Sequence, residues 1–286
     1  MSVCIPLCAG RGIESMEASG LKPLSQLQLL LSDVQGALKL WRFWLHLGLE
    51  DILKQYRRSF LGPVWISINT AIFIGAFGLI GSQVFKIDVQ TYLPFFCVSH
   101  VLFLFISQSI SDSCHTFTSA GAFLKQTPYP KSAFGLRVIW RNLLMLGHNI
   151  PIAIIVLLVF GGLGKVQVLP FVLGLAFTVL CAVLVACVLG ALCARFRDIP
   201  MIVTSFMQIA MFLTPVMWQA SQLSERAKLI VHVNPLAAFL DLIRAPVLGQ
   251  AVDPHSYLMA GLTFIALVAA FFTIFLKSRR RLVYWL

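Results

Sequence analysis

The sequence predicts an all-α integral membrane protein. Three observations predict this fold class. Hydrophobic residues make up 59% of the 286 residues and charged residues only 12%, and the mean hydropathy is +0.88, far from the values of a soluble domain. Apolar runs of about 20 residues also recur along the chain, each long enough to cross about 30 Å of hydrocarbon as a helix. Because these runs occupy most of the sequence, we expect no soluble catalytic domain.

Six apolar runs between charged residues are the predicted transmembrane helices. They cover residues 63–85, 92–111, 143–162, 168–194, 200–218 and 257–276. An even number of spans places both termini on the same side of the membrane. That side holds 17 of the 22 Lys and Arg residues, so the positive-inside rule predicts that both termini are cytoplasmic. Topology thus accounts for most of the net charge of +11, and we expect no nucleic-acid partner.

The segment before the first span has the pattern of an amphipathic helix. Polar residues recur every three or four positions over residues 39–58, with Leu, Ile, Trp and Tyr between them. Such a helix lies in the membrane interface, and it is either a passive anchor or a surface on which a cytoplasmic partner acts. The chain is therefore divided into a variable cytoplasmic lead (1–36), the amphipathic helix and its linker (37–62), the membrane domain (63–276) and a basic and aromatic cytoplasmic tail (277–286).

Two further segments are not predicted to span the membrane. Between the second and third spans the chain is polar, and residues 127–130, with the sequence TPYP, break any helix. This segment is predicted to form a cytoplasmic elbow. Before the last span, an apolar run of about a dozen residues contains Asp241 and Arg244. Its length predicts a re-entrant or interfacial segment rather than a span.

Motifs of catalysis and nucleotide binding are missing from the sequence. It contains no G-x-x-x-x-G-K-[ST] phosphate-binding loop, no H-E-x-x-H zinc motif and no G-x-S-x-G nucleophile motif. The seven cysteines lack the spacing of a metal site and are interpreted as small buried hydrophobic residues. We therefore expect a transport protein with no catalytic, cofactor-binding or metal-binding residues of its own.

The ionisable residues within the predicted spans are His100 and His148, with Asp112 at an edge. Intramembrane ionisable residues are candidates for functional sites, here a proton relay or the base of an acyl- or glycosyltransferase. The alternative is that each histidine only forms a hydrogen bond with a neighbouring helix. Because the spans hold no acidic partner, we do not expect coupling to a proton or sodium gradient.

Aromatic and small residues recur on single faces of the predicted spans. An aromatic face is typical of lipid or core contact, and the alternative is a surface on which sugar rings stack. Small residues every four positions in the fourth span predict close helix packing, either within the chain or between two copies. In the first span, Trp65, Asn69, Phe73 and Phe77 share one face, and Phe212 and Trp218 are the aromatic residues near the end of the fifth. The small residues are Ala182, Ala186, Gly190 and Ala194.

Five short motifs, taken in their order and spacing, resemble those of a known family. They are QYRRSFLGPVW (55–65), ARFRDIP (194–200), LTPVMW (213–218), NPLAAFLDLIRAPVLG (234–249) and RRRLVYWL (279–286). Over residues 41–286 the chain resembles the membrane subunits of bacterial ATP-binding-cassette exporters of the second type, which export lipid-linked O-antigen, capsule or teichoic acid polysaccharide.

The resemblance implies a homodimer in the bacterial inner membrane that exports an undecaprenyl-linked polysaccharide. Two copies of a separate ATPase subunit would dock in the cytoplasm and hold ATP and Mg²⁺, and the first and fifth spans would line the conduit. Two alternatives remain: an exporter of the same family that moves a drug or lipid, and an integral-membrane acyl- or glycosyltransferase.

Candidate site residues follow from this resemblance. The candidate glycan conduit comprises Trp65, Asn69, Phe73, Phe77, Phe212 and Trp218. The candidate ATPase-docking residues are Arg42, His46, Glu50, Lys54, Phe123, Lys125 and Tyr129. The re-entrant exit segment contributes Asn234, Pro235, Asp241 and Arg244.

The last ten residues combine a basic cluster with aromatic residues. The cluster is predicted to stop the sixth span and to keep the end of the chain cytoplasmic, near anionic headgroups. The aromatic residues either anchor in the membrane interface or dock on the ATPase. This cytoplasmic anchor comprises Arg279, Arg280, Arg281, Tyr284 and Trp285.

Overall fold

The computed structural model describes residues 26–57, 62, 64–127, 129–219, 224–279 and 281–286, which form helices and turns without a strand among them. This confirms the all-α fold class. The helices are α1 (Gln26–Lys39), α2 (Trp41–Gln55), α3 (Val64–Phe85), α4 (Val89–Ser113), α5 (Gly121–Gln126), α6 (Ser132–Val159), α7 (Val168–Arg195), α8 (Ile199–Leu213), α9 (Glu225–Val233), α10 (Pro235–Val247), α11 (Pro254–Arg279) and α12 (Leu282–Trp285). Outside the described residues lie the first 25 residues of the predicted lead, Arg58, Pro63, Pro128 and Arg280.

Five helices are long and apolar enough to cross a membrane: α3, α4, α6, α7 and α11. The helix α6 begins at Ser132, well before the predicted start of the third span at 143. Its first turns contain Arg137 and Arg141, whose charges are paired with Asp51 and Asp112. The third long helix therefore extends further toward the elbow than the hydropathy pattern predicted, and both arginines in this part of it are paired.

The fifth predicted span, 200–218, corresponds to the 15-residue helix α8, about 22 Å long at 1.5 Å per residue and shorter than the hydrocarbon core. A sixth full-length span is therefore not confirmed. The helix ends at Leu213 because Pro215 disfavours a helical conformation at Thr214, which is extended with ψ 139°.

The chain nevertheless passes from one end of the molecule to the other in this stretch. We call the end that contains the elbow and the last residues the elbow end, and the opposite end the far end. Arg195 lies under the ring of Trp285 at the elbow end. Met217 lies at the far end, where its carbonyl oxygen accepts a hydrogen bond from Tyr92 in the first turn of α4. The helix α8 lies between Arg195 and Met217.

Small residues of α7 allow close packing within the chain. A Cβ atom at Gly190 would lie 2.9 Å from side-chain atoms of Thr116 and Phe117, and a Cβ atom at Gly135 in α6 would lie 3.6 Å from the Cβ of Ala186. At Gly190 and Ala186, the small-residue seam thus packs against the chain's own elbow and α6. Of the two interpretations left open by the sequence, packing within one subunit is the one observed at these positions.

Candidate functional site

The predicted interface helix, α2, packs against the elbow-end half of α6. Gly48 faces Trp140 so closely that a Cβ atom would lie 2.8 Å from the indole Cδ1. The indole Nε1 of Trp140 donates a hydrogen bond to the carbonyl oxygen of Leu45 at 3.2 Å. One side of α2, including the buried Ile52, is therefore covered by protein rather than by membrane.

An ion pair fixes α2 to α6. Arg137 donates from Nε to one carboxylate oxygen of Asp51 at 2.7 Å and from a terminal nitrogen to the other at 2.6 Å. The side chains of Arg137 and Asp51 are only 12% and 18% exposed. A bidentate pair of this geometry is directional as well as attractive, so it restricts rotation of α2 on α6.

Aromatic residues join α2 to the elbow. The ring of Phe43 stacks on that of Tyr129 with a centroid distance of 4.6 Å and an interplanar angle of 15°. Phe43 also contacts Phe123 and Phe134 edge to face, at 6.4 and 6.3 Å. Two of the predicted docking residues from the elbow are thus held beside the interface helix by Phe43, which the sequence pattern did not single out.

The polar face of α2 lies on the outside of this assembly. Glu50 accepts hydrogen bonds from Lys54 at 2.7 Å and lies 3.2 Å from His46, and both basic side chains are largely exposed. The hydrogen bond from Lys54 is the main cause that lowers the pKa of Glu50. Arg42 is exposed on the same helix. These four predicted docking residues therefore form one accessible charged surface.

A buried carboxylate ties the N-terminal helix to this region. Asp33 in α1 accepts hydrogen bonds from the backbone N–H groups of Lys131 and Ser132 at 3.0 Å and from the Ser132 hydroxyl at 2.6 Å. It also pairs with Arg279 at 3.1 Å. Asp33 thus satisfies N–H groups at the start of α6 and links α1 to the end of α11.

The C-terminal tail packs on protein at the same end. Arg279 pairs with Asp33 and donates to the carbonyl oxygen of Leu29, so its partners belong to α1. Trp285 is half-buried, with the Arg195 guanidinium 5.5 Å from its ring centroid, whereas Tyr284 is 88% exposed. Arg281 is also exposed. The anchor role of the tail stays a prediction.

An aromatic ladder lies between α3 and α4. Phe73 stacks with Phe77 at 5.9 Å and with His100 at 4.7 Å, and Phe77 contacts Phe96 at 4.9 Å. Phe73 is 38% exposed, while Phe96 and His100 are buried. Phe73 and Phe77 on α3 therefore form the outer side of the ladder, and Phe96 and His100 on α4 pack against their inner side. Its α4 members were not identified as conduit residues from the sequence.

Tyr92 connects the ladder to the motif that follows α8. Its ring is parallel to that of Phe96 at 5.9 Å, and its hydroxyl donates to the carbonyl oxygen of Met217 at 2.7 Å. Gly81 makes room for this tyrosine, because a Cβ atom there would lie 2.5 Å from the hydroxyl oxygen. The adjacent Trp218 donates from Nε1 to the carbonyl oxygen of Phe212 at 3.0 Å.

The remaining conduit candidates lie apart from the ladder. Trp65 and Asn69 are exposed near the start of α3, and Phe212 is 67% exposed on α8. The structure therefore brings Phe73 and Phe77 together, and Tyr92 connects the region of Trp218 to the ladder through its contacts with Met217 and Phe96. The lining of a conduit by these residues stays a prediction.

The predicted exit segment, 234–249, forms a single helix, α10, and the helix α9 precedes it. Asn234 caps α10 by accepting from the N–H of Leu236, and Pro235 occupies the first position of the helix. The Arg244 guanidinium donates to the carbonyl oxygen of Pro215 at 2.6 Å and lies 3.3 Å from Asp241. The two motifs 213–218 and 234–249 thus contact each other. A re-entrant course for this segment stays a prediction.

The two intramembrane histidines have environments that differ from those of a catalytic base. His100 is buried against Phe73 and Phe96, and a ring nitrogen of His148 lies 2.8 Å from the carbonyl oxygen of Leu144 in its own helix. Within the described residues, neither histidine is paired with a carboxylate. Among the described residues, the ring Nδ1 of His100 has no hydrogen-bond partner, so the expected hydrogen bond from this nitrogen to a neighbouring helix is not observed.

Comparison with known proteins gives a family. Residues 44–248, from α2 to the end of α10, match the ABC-2 type transporter family. The O-antigen export system permease protein RfbA of Klebsiella pneumoniae is 23% identical over 195 residues, which cover 67% of this chain and 74% of the relative. The protein of the same name from Myxococcus xanthus is 21% identical over 198 residues, with coverages of 68% and 76%. With five long apolar helices and a family match over more than half of its length, this chain is a multi-pass membrane protein of the ABC-2 type transporter family.

Proposed function

We propose that this chain is the membrane-spanning subunit of an ATP-driven exporter that moves lipid-linked polysaccharide, such as O-antigen, from the cytoplasm across the inner membrane. The similarity to O-antigen export permeases over two thirds of the chain supports this substrate class. The observation that carries the proposal is the ladder of Phe73, Phe77, Phe96 and His100. It presents Phe73, which is 38% exposed, backed by further aromatic rings without a charged side chain among them.

The path in this proposal lies between two copies of the chain. Phe73 on α3 and a broad apolar face of α8 are exposed in the single chain. Exposed apolar area of this kind suits lipid or a second subunit, and a homodimer would place two ladders around one passage. The exposed face of α8 comprises Met201, Ile202, Phe206, Ile209 and Phe212.

ATP hydrolysis is assigned to a separate ATPase subunit, two copies of which bind at the elbow end with their ATP and Mg²⁺. The docking surface consists of the charged face of α2 and the elbow residues Phe123, Lys125 and Tyr129. Because the Asp51–Arg137 pair and the Phe43–Tyr129 stack join these parts to each other and to α6, a displacement of the surface moves α6 as well. This connection is the basis for coupling in the proposal.

The proposal places the elbow end in the cytoplasm. Contact between Asp33 and Arg279 at 3.1 Å brings the first described helix and the end of the last long helix to the same end of the molecule. The basic residues of the elbow and the tail lie there too, as the positive-inside rule favours for a cytoplasmic face.

Affinity purification from native membranes in mild detergent tests the proposal. We expect an ATP-binding-cassette ATPase at one copy per copy of this chain. In cells that lack the chain, lipid-linked glycan should accumulate inside while surface glycan is lost. Normal surface glycan in those cells would contradict the substrate assignment, and a defect in drug or lipid export would then identify the alternative within the family. Acyl- or glycosyltransferase activity of the purified chain alone, lost on His100→Ala, would contradict the transport assignment.

A further inference from the structure

A polar cavity at the far end contains a cluster of metal-ligating side chains. The cavity has a volume of about 500 Å³ and is lined by residues of α9, α10 and the start of α11. On its wall, one ring nitrogen each of His232 and His255 and one carboxylate oxygen of Asp253 lie within 4.8 Å of one another. The two imidazole rings are 4.6 Å apart. The proposed transport path and the docking surface do not use these three residues.

The backbone and the neighbouring residues hold Asp253 in place. Its N–H donates to Asp241 at 3.1 Å, and its Oδ1 accepts from the N–H of His255 at 2.9 Å, which caps the start of α11. Asp241 also accepts from the hydroxyl of Ser256 at 3.0 Å. The N–H of His255 is the largest of the causes that lower the pKa of Asp253. Asp253 is therefore a positioned carboxylate.

The distances fit a divalent transition metal. His232 Nδ1 lies 3.8 Å from Asp253 Oδ2, and His255 Nδ1 lies 3.1 Å from Asp253 Oδ1. Ligand atoms about 2.0 to 2.2 Å from a tetrahedral Zn²⁺ are separated by about 3.4 Å. The two measured separations lie on either side of that value, and both histidine side chains are partly exposed, at 33% and 65%.

The arginine of the same cavity is held by other partners. Arg244 pairs with Asp241 at 3.3 Å and donates to the carbonyl oxygen of Pro215 at 2.6 Å, and its guanidinium lies over the ring of Phe95. These partners hold it on the α10 side. Lys228 also lines the cavity, one turn before His232 on α9.

We propose that His232, Asp253 and His255 bind a divalent transition-metal ion, with Zn²⁺ as the best fit. Imidazole nitrogen and carboxylate oxygen are common zinc ligands, and three protein ligands leave a fourth position open, here toward the cavity. The ion would join the end of α9 to the start of α11 across α10. No ligand spacing in the sequence indicated this site, because α9 and α11 supply ligands about 20 positions apart, at 232 and at 253 and 255.

Zinc titration of the purified full-length chain tests the proposal. The chain carries an affinity tag without histidine, is stripped of metal with a chelator and is titrated with Zn²⁺ by calorimetry in detergent. We expect one high-affinity equivalent per chain and at least ten-fold weaker binding in His232→Gln, His255→Gln and Asp253→Asn. The asparagine retains a side-chain acceptor for the N–H of His255. His115→Gln, a substitution of an exposed histidine at the elbow end, is the matched control and should bind like the parent.

Hydrogen–deuterium exchange provides a second measurement that does not depend on affinity. Zn²⁺ should slow amide exchange in α9 of the parent chain but not in His255→Gln, although residue 255 lies outside α9. Parent-like zinc affinity in all three site variants, or a loss that occurs equally in His115→Gln, would overturn the proposal. Unchanged α9 exchange on zinc addition would overturn the bridging geometry. These results are independent of the transported substrate, since they require no export.

Discussion

Replacing Asp51 with asparagine should loosen the interface helix from α6. Arg137 donates two hydrogen bonds to the carboxylate at 2.7 and 2.6 Å, in a position where both side chains are mostly out of water. The amide retains one acceptor, removes the charge and leaves part of the guanidinium without its partner. Hydrogen bonds to charged groups contribute about 1.5 to 3 kcal/mol, and we take about 2 kcal/mol for this half-buried pair.

A loss of about 2 kcal/mol corresponds to about a 30-fold increase in local opening. Hydrogen–deuterium exchange of α2 in the detergent-purified complex measures this opening directly. The matched control is Glu50→Gln at the adjacent position. Among the described residues, Glu50 pairs with His46 and Lys54 of its own helix, and exposed pairs of that kind contribute little. Exchange in the control should therefore stay close to that of the parent.

The effect on function should follow from the same connection. If α2 transmits movement of the ATPase to α6, Asp51→Asn should export less glycan per ATP hydrolysed while the ATPase remains bound. Arg137→Gln should have a similar effect, and the double variant should show less than the sum of the two, because both remove one interaction. Parent-like α2 exchange in Asp51→Asn, or equal acceleration in Glu50→Gln, would refute the reasoning.

Three further predictions concern the ladder, its packing and the tail. Phe73→Ala should slow glycan export without dissociating the complex, whereas Ile72→Ala, the neighbouring exposed residue, should not; normal export in the first variant argues against the conduit assignment. Gly81→Ala should lower the free energy of unfolding by about 1 to 3 kcal/mol through overpacking against the hydroxyl of Tyr92. Gly75→Ala, with nothing within 4 Å of the added carbon, should raise it by up to about 1 kcal/mol, because alanine is the better helix former. Thermal unfolding in detergent compares the two variants, and equal stabilities contradict the close approach. Trp285→Ala should cost about 1 to 3 kcal/mol, less than for a fully buried tryptophan, and an unchanged melting temperature would mean that the tail does not pack on α7.

Features that depend on local composition were predictable from the sequence. Apolar runs of span length gave four helices within a few residues of their observed bounds, and the four-residue period placed Phe73 and Phe77 on one face of α3. The predicted helix boundaries were wrong where charged residues in a helix have partners that are distant in the sequence. The start of α6 is the clearest case, since Arg137 and Arg141 interrupt the apolar pattern there, and in the structure they pair with Asp51 and Asp112.

Contacts between distant segments were not predictable. Asp33 lies in the segment interpreted as a variable lead, and its hydrogen-bond partners Lys131 and Ser132 are almost 100 residues away. The sequence pattern did not single out Phe43, whose ring stacks on that of Tyr129 in the structure. In both cases the residue type alone does not indicate a role. The role depends on a contact with a residue that is distant in the sequence.

Transport in proteoliposomes tests the central claim most directly. The complex of this chain with its copurified ATPase is reconstituted with undecaprenyl-linked glycan accessible on the ATPase side, and a glycosidase that cleaves the glycan is added to that side. The account predicts that ATP makes the glycan resistant to cleavage, and that a variant ATPase unable to hydrolyse ATP abolishes the protection. Glycan that stays fully cleavable while the complex hydrolyses ATP would contradict the account.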